Sequence, residues 1–177
     1  MKMRRMLIRL IANLMSIALI CAARIASAQN GASKTASITT TIIQGMSVTN
    51  TSSLRFGAMI PGSLGGTATV SPNGIRTATG TITLLTASAY PASAASFSLI
   101  GAPNLGYTIT LPTSVTLTLQ GGSNTILLTA LTSSPAATGS LSSTGTGTLT
   151  VGGTIAVSSS QAAGVYSGTF TVTLSYQ

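Results

Sequence analysis

A chain of 177 residues with eight lysines and arginines and no aspartate, glutamate or histidine lacks the carboxylates and imidazoles that move protons near neutral pH or hold a metal ion. Its formal charge of +8 reflects missing acids rather than a clustered basic face, so it does not point to nucleic acid. Composition argues against an enzyme and for a structural or binding protein, with no catalytic, cofactor or metal residue to name.

The first element is an export signal. Lys2, Arg4, Arg5 and Arg9 form a basic head, an apolar run follows from Leu10 to Ala23, and Ala26-Ser27-Ala28 closes it as an A-x-A cleavage site. The run is shorter than the roughly 20 residues that a membrane-spanning helix needs. Residues 1–28 therefore read as a cleaved signal peptide of the general secretory path, with Gln29 as the mature terminus. The protein is expected in the periplasm and then at the cell surface. Lys2, Arg4, Arg5, Arg9 and Arg24 leave with the signal, as does Cys21. The mature chain keeps only Lys34, Arg55 and Arg76 as charged side chains, has no integral membrane segment, and forms no disulfide although its compartment permits one.

The mature chain begins with an alternating segment. Ala36, Ile38, Thr40, Ile42, Met46 and Val48 share one parity, and Ser37, Thr39, Thr41, Gly45, Ser47 and Thr49 the other. Successive strand side chains point to opposite faces, and the run exceeds an ordinary strand of about five or six residues. Two readings stand: a break at Gln44-Gly45 that separates an N-terminal extension (29–44) from the first strand of a domain (45–177), or one long strand bulged at Gly45.

Period-two alternation then recurs along the chain. Ile82 and Leu84 alternate with Thr81 and Thr83. Tyr107, Ile109 and Leu111 alternate with Thr108 and Thr110, and Val115, Leu117 and Leu119 with Thr116 and Thr118. Phe97 and Leu99, Ile126 to Leu131, and Leu149 to Val157 are further candidates, the last divided by a hairpin turn at Gly152-Gly153. Ser71-Pro72-Asn73-Gly74 and Gly121-Gly122-Ser123-Asn124 are turn clusters, while 87–95 and 133–147 read as loops. The clearest strand is the last, with Phe170, Val172, Leu174 and Tyr176 on one face and Thr169, Thr171, Thr173 and Ser175 on the other. Many short strands between Gly, Pro, Asn and Ser turns predict an all-β sandwich or barrel, as a single domain.

The C-terminal Gly164-Val165-Tyr166-Ser167-Gly168, the Phe170/Val172/Leu174 face and the penultimate Tyr176 resemble the end of a chaperone–usher pilin subunit. That resemblance implies an incomplete immunoglobulin-like antiparallel β-sandwich, bound first by a periplasmic chaperone and usher and completed in the fibre by the N-terminal extension of another subunit. Ala36, Ile38, Thr40 and Ile42 would be the donor face, and Gly164, Phe170, Val172, Leu174 and Tyr176 the C-terminal assembly residues. Pilins of this kind usually carry a disulfide, which this chain cannot form. Leu54-Arg55-Phe56-Gly57, Ser71-Pro72-Asn73-Gly74, Val151-Gly152-Gly153-Thr154 and Gly164 to Gly168 also resemble the exported bacterial family known as domain of unknown function 4402.

Edge strands normally carry protective charge, which this chain lacks, so its edges are either closed or meant for another chain. The leading expectation is a pilus- or fimbria-like surface subunit that self-associates into a fibre by β-strand complementation. The alternatives are a self-contained secreted sandwich binding a glycan or protein partner, a small outer-membrane β-barrel, and amyloid-like self-assembly.

Overall fold

A computed structural model describes residues 33–177, and the chain divides into two units, Met1–Thr41 and Ile42–Gln177. The expected signal peptide and its cleavage site lie outside the described residues. The second unit is built of antiparallel strands, and no helix occurs among the described residues.

In chain order the strands are β1 (Ser47–Ser52), β2 (Arg55–Phe56), β3 (Met59–Ile60), β4 (Gly66–Val70), β5 (Arg76–Ala78), β6 (Thr83–Leu84), β7 (Ala92–Ser93) and β8 (Ala95–Ile100). They continue as β9 (Gly106–Thr110), β10 (Ser114–Leu119), β11 (Thr125–Ser134), β12 (Thr138–Ser140), β13 (Thr146–Val157), β14 (Tyr166–Ser167) and β15 (Thr173–Tyr176). The main sheet runs β1-β8-β13-β11-β10-β14, with β4 attached to β13 and β5 to β4. A second sheet runs β12-β9-β15, and β2-β7 and β3-β6 are two-stranded ribbons.

The alternation of the sequence becomes the two faces of these sheets. Leu99, Leu149, Val151 and Ala95 of the main sheet pack with Tyr107 and Leu141 into one core cluster, against which Phe170, Val172, Leu174 and Tyr176 rest half-buried. Ala68, Ile126, Leu128, Ile155 and Val157 form a second cluster, flanked by Phe56, Met59, Ile82 and Leu84. Thr and Ser take the outer positions, where a branched Cβ suits a pleated surface.

The two Gly/Asn turns form as expected. Gly74 has a φ of 78°, and its N–H donates to the Ser71 carbonyl over 2.9 Å between β4 and β5. Gly121, at φ 75°, turns β10 into β11. Gly152-Gly153 is different: it is no hairpin but the middle of the unbroken β13. One edge of β13 pairs with β8 as far as Val151 and with β4 from Gly153 onward, and the partners change over at Gly152. A Cβ there would lie 2.2 Å from the Val70 carbonyl and 2.8 Å from the Pro72 nitrogen. The glycine pair is thus a place of close backbone approach. The expected loop at 133–147 likewise contains β12, and that at 87–95 contains β7.

Arg76 has no acid to pair with. Its guanidinium donates to the Ala58 carbonyl and, over 3.0 Å, to the Leu85 carbonyl, while its Nε has no partner among the described residues. Burial lowers its pKa, because desolvation disfavours the charged form. A cation held by carbonyls clasps β5 to one end of the β3-β6 ribbon, where the Leu85 N–H donates to the Ala58 carbonyl over 3.0 Å.

Candidate functional site

Of the strands that keep one edge unpaired among the described residues, two flank the first core cluster. β1 bonds only to β8, and β15 only to β9. Residues directly opposite in a ladder share a face, so Val48, opposite Leu99, points to the core side. Yet Leu99 is fully buried while Val48 is 39% exposed. From the other sheet Phe170, Val172, Leu174 and Tyr176 are all half-buried, whereas Thr171, Thr173 and Ser175 are exposed. The core is therefore closed below and only partly covered along a strip between β1 and the C-terminal segment.

Contacts at its two ends orient this strip. At one end the Phe97 and Phe170 rings meet edge-on, with centroids 6.2 Å apart, and Phe97 stands opposite Asn50 of β1. At the other end the Tyr176 hydroxyl donates to the Gln44 carbonyl over 3.1 Å and accepts the Ala102 N–H over 2.7 Å. Chain order thus runs in opposite senses along the two borders. The C-terminal strand is shorter than its sequence pattern predicts: β15 starts at Thr173, and Phe170 to Val172 lie outside any strand while keeping the alternation of burial.

The N-terminal extension is not continuous with β1, as a single long strand bulged at Gly45 would be. Residues 33–46 form no strand, whether separate or continuous with the next, and the first strand begins at Ser47. Ala36 and Thr40 are exposed, as are Ile38 at 95% and Ile42 at 92%. An alternating segment with no neighbouring strand among the described residues has none of them to bond its backbone or cover its isoleucines, so nothing there offsets the entropy of extending it.

Gly164 belongs elsewhere. Its φ is 147°, and a Cβ would stand 2.4 Å from Leu119 Cδ1 in β10, away from the open strip. It shapes the corner that leads into β14, where the Tyr166 hydroxyl donates to the Ala162 carbonyl over 2.8 Å and accepts Gln161 Nε2 over 2.7 Å. The spacing Ala162-x-Gly164-x-Tyr166 carries this corner and was available in the sequence. The reach of Tyr176 to Gln44 was not, since 132 positions separate them.

A second concavity, of about 660 Å³, opens where the C-terminal segment leaves β10 for β9. Thr110, Ser114, Thr116, Thr118, Ser167, Thr169, Thr171 and Thr173 line it with hydroxyls around Leu111, Pro112, Val115 and Phe170. Among the described residues no group of side chains is suited to hold a metal ion, and no helix is long and apolar enough to cross a membrane.

The chain belongs to the family described as domain of unknown function (DUF4402), whose sequence model matches residues 46–176. Neither the curated proteins nor the solved structures contain a match to it.

Proposed function

We propose that this member of the family is a non-enzymatic, exported structural subunit whose open strip between β1 and β15 receives residues 36–43 of a second copy. Successive copies joined in this way build a pilus- or fimbria-like fibre at the cell surface, and a periplasmic chaperone and usher cover the strip before assembly. One observation carries the reading: a half-covered apolar strip with unpaired edges occurs in the same chain as an alternating segment, Ala36 to Ile42, whose isoleucines are almost fully exposed. Added strands gain affinity from main-chain hydrogen bonds and specificity from alternate side chains.

The strand order supports an immunoglobulin-like sandwich. In that fold strands A, B, E and D share one sheet and C, F and G the other, with a tyrosine corner at the start of F. Here β1-β8-β13-β11 follow the first order, β9 and β15 take the places of C and F, and Tyr166 makes the corner. The place of G, beside β15, has no strand among the described residues. A membrane barrel fits less well, since none of the sheets closes on itself among the described residues.

The test uses the chain from Gln29. Wild-type protein is expected to form assemblies in light-scattering chromatography. The Ile38→Asp/Ile42→Asp variant is expected to stay monomeric, with a melting temperature that rises when a peptide of residues 36–43 is added. A wild-type protein that is a stable monomer, and that ignores the peptide, overturns the proposal.

A second reading rests on the hydroxyl-lined concavity. Its lining is uncharged and rich in paired donors and acceptors, which suits a neutral glycan. A self-contained secreted domain that binds such a glycan is the account to adopt if the strip proves to have no partner.

A further inference from the structure

The connection between the extension and β1 is short, and this raises the question of which groove the extension fills. Only Gln44, Gly45 and Met46 separate Ile43 from Ser47. Reversal within those residues would lay 36–43 antiparallel to the free edge of β1 in the same molecule. Hairpin loops of two to five residues make such reversals routinely. Gly45 has no heavy atom within 4 Å of its Cβ position, so packing does not oppose a turn there.

What opposes it is Tyr176. A phenol hydroxyl has a single proton to donate. The Ala102 N–H, at 2.7 Å, occupies an acceptor site of the oxygen, and the proton goes to the Gln44 carbonyl at 3.1 Å. The hydroxyl is seated for this purpose against Gly101, where a Cβ would come within 2.2 Å of the phenol oxygen. The bond fixes the peptide unit between Gln44 and Gly45, which is the unit a reversing turn must rotate. It also sets the ring of Tyr176 at the end of the strip where such a turn would enter.

We propose that Tyr176 is a positioning residue, a latch that keeps the extension out of its own strip and leaves it available to another molecule. The inference rests on the strand-complementation reading above. One hydrogen bond of ordinary strength shifts the balance between self-filled monomer and assembly by up to about tenfold.

The experiment compares three proteins that begin at Gln29: wild type, Tyr176→Phe, which keeps the ring, and an insertion of two glycines between Gln44 and Gly45, which keeps Tyr176 and gives the turn slack. Both variants are expected to move protein from assemblies to a folded monomer. The melting temperature of that monomer is expected to fall when Ile38→Asp is added, because Ile38 then lies in its own strip. A tyrosine of merely structural importance would lower stability without making the monomer depend on Ile38. If wild type assembles and both variants assemble to the same extent, the latch is wrong and strand complementation stands. If wild type neither assembles nor responds to a peptide of residues 36–43, both ideas fall. If Tyr176→Phe does not fold, the insertion decides by the same two readouts.

Discussion

Phe170 meets Phe97 edge-on, with ring centroids 6.2 Å apart and planes at 79°, and this pair ties the C-terminal segment to β8 where no ladder hydrogen bond does. An edge-to-face pair adds about 0.5–1.5 kcal/mol beyond its area.

Removing that ring should therefore be costly. Phe170→Ala is expected to destabilise by about 3 kcal/mol, read from urea unfolding. Val172→Asp, on the same half-buried parity, is expected to cost about 2 kcal/mol by setting a carboxylate against the core, while Thr171→Asp on the exposed parity should stay within about 0.5 kcal/mol. Equal effects at 171 and 172 would contradict the assignment of faces.

Gly152→Ala is the sharpest test of β13. The new methyl would meet the backbone of Val70, Ser71 and Pro72, which cannot rotate aside as a side chain can. A loss of about 3 kcal/mol or more is expected, with a loss of soluble protein on expression. Had Gly152-Gly153 been a surface hairpin, alanine at 152 would have been nearly silent, so the melting temperature distinguishes the two.

At the corner before β14, Tyr166→Phe removes a hydroxyl bonded to the Ala162 carbonyl and to Gln161. The expected cost is about 1–1.5 kcal/mol. Gly164→Ala should cost about 1–2 kcal/mol through its positive φ. Because the two positions form one corner, the double variant should fall short of the sum, and a double-mutant cycle measures the shortfall.

Stability should be almost independent of pH over a wide range. No side chain after Arg24 is a carboxylate or an imidazole, so none titrates between about pH 4 and 9. The buried Tyr107 phenol is held above its ordinary value of 10.0 by desolvation. The unfolded chain therefore releases that proton first. Its contribution is fully present below about pH 10 and is lost as pH rises through the folded value. Melting curves from pH 4 to 11 should show a plateau and then a fall, and a transition near pH 6 would contradict it.

Much of this protein was legible before its structure. The absence of acids and histidine is complete in the composition itself and argues against ordinary proton-transfer and metal chemistry before any fold is known. The alternation at Tyr107 to Leu111, Val115 to Leu119 and Phe170 to Tyr176 marks the inward residues, because a strand must place successive side chains on opposite faces. The turn at Ser71 to Gly74 was equally plain, since its bonds are made within the turn itself. Tertiary structure decided the features whose cause lies far away in sequence. Gly152-Gly153 has the residue types of a turn, and only the approach of Val70 to Pro72 makes it the middle of a strand. Ala36 to Ile42 carries a strand pattern yet forms none, because a strand needs a partner for its backbone and its own chain brings none to it among the described residues. The link between Tyr176 and Gln44 exists only once two sheets have packed, since a hydrogen bond requires two groups in one place and no local preference of the chain encodes that meeting.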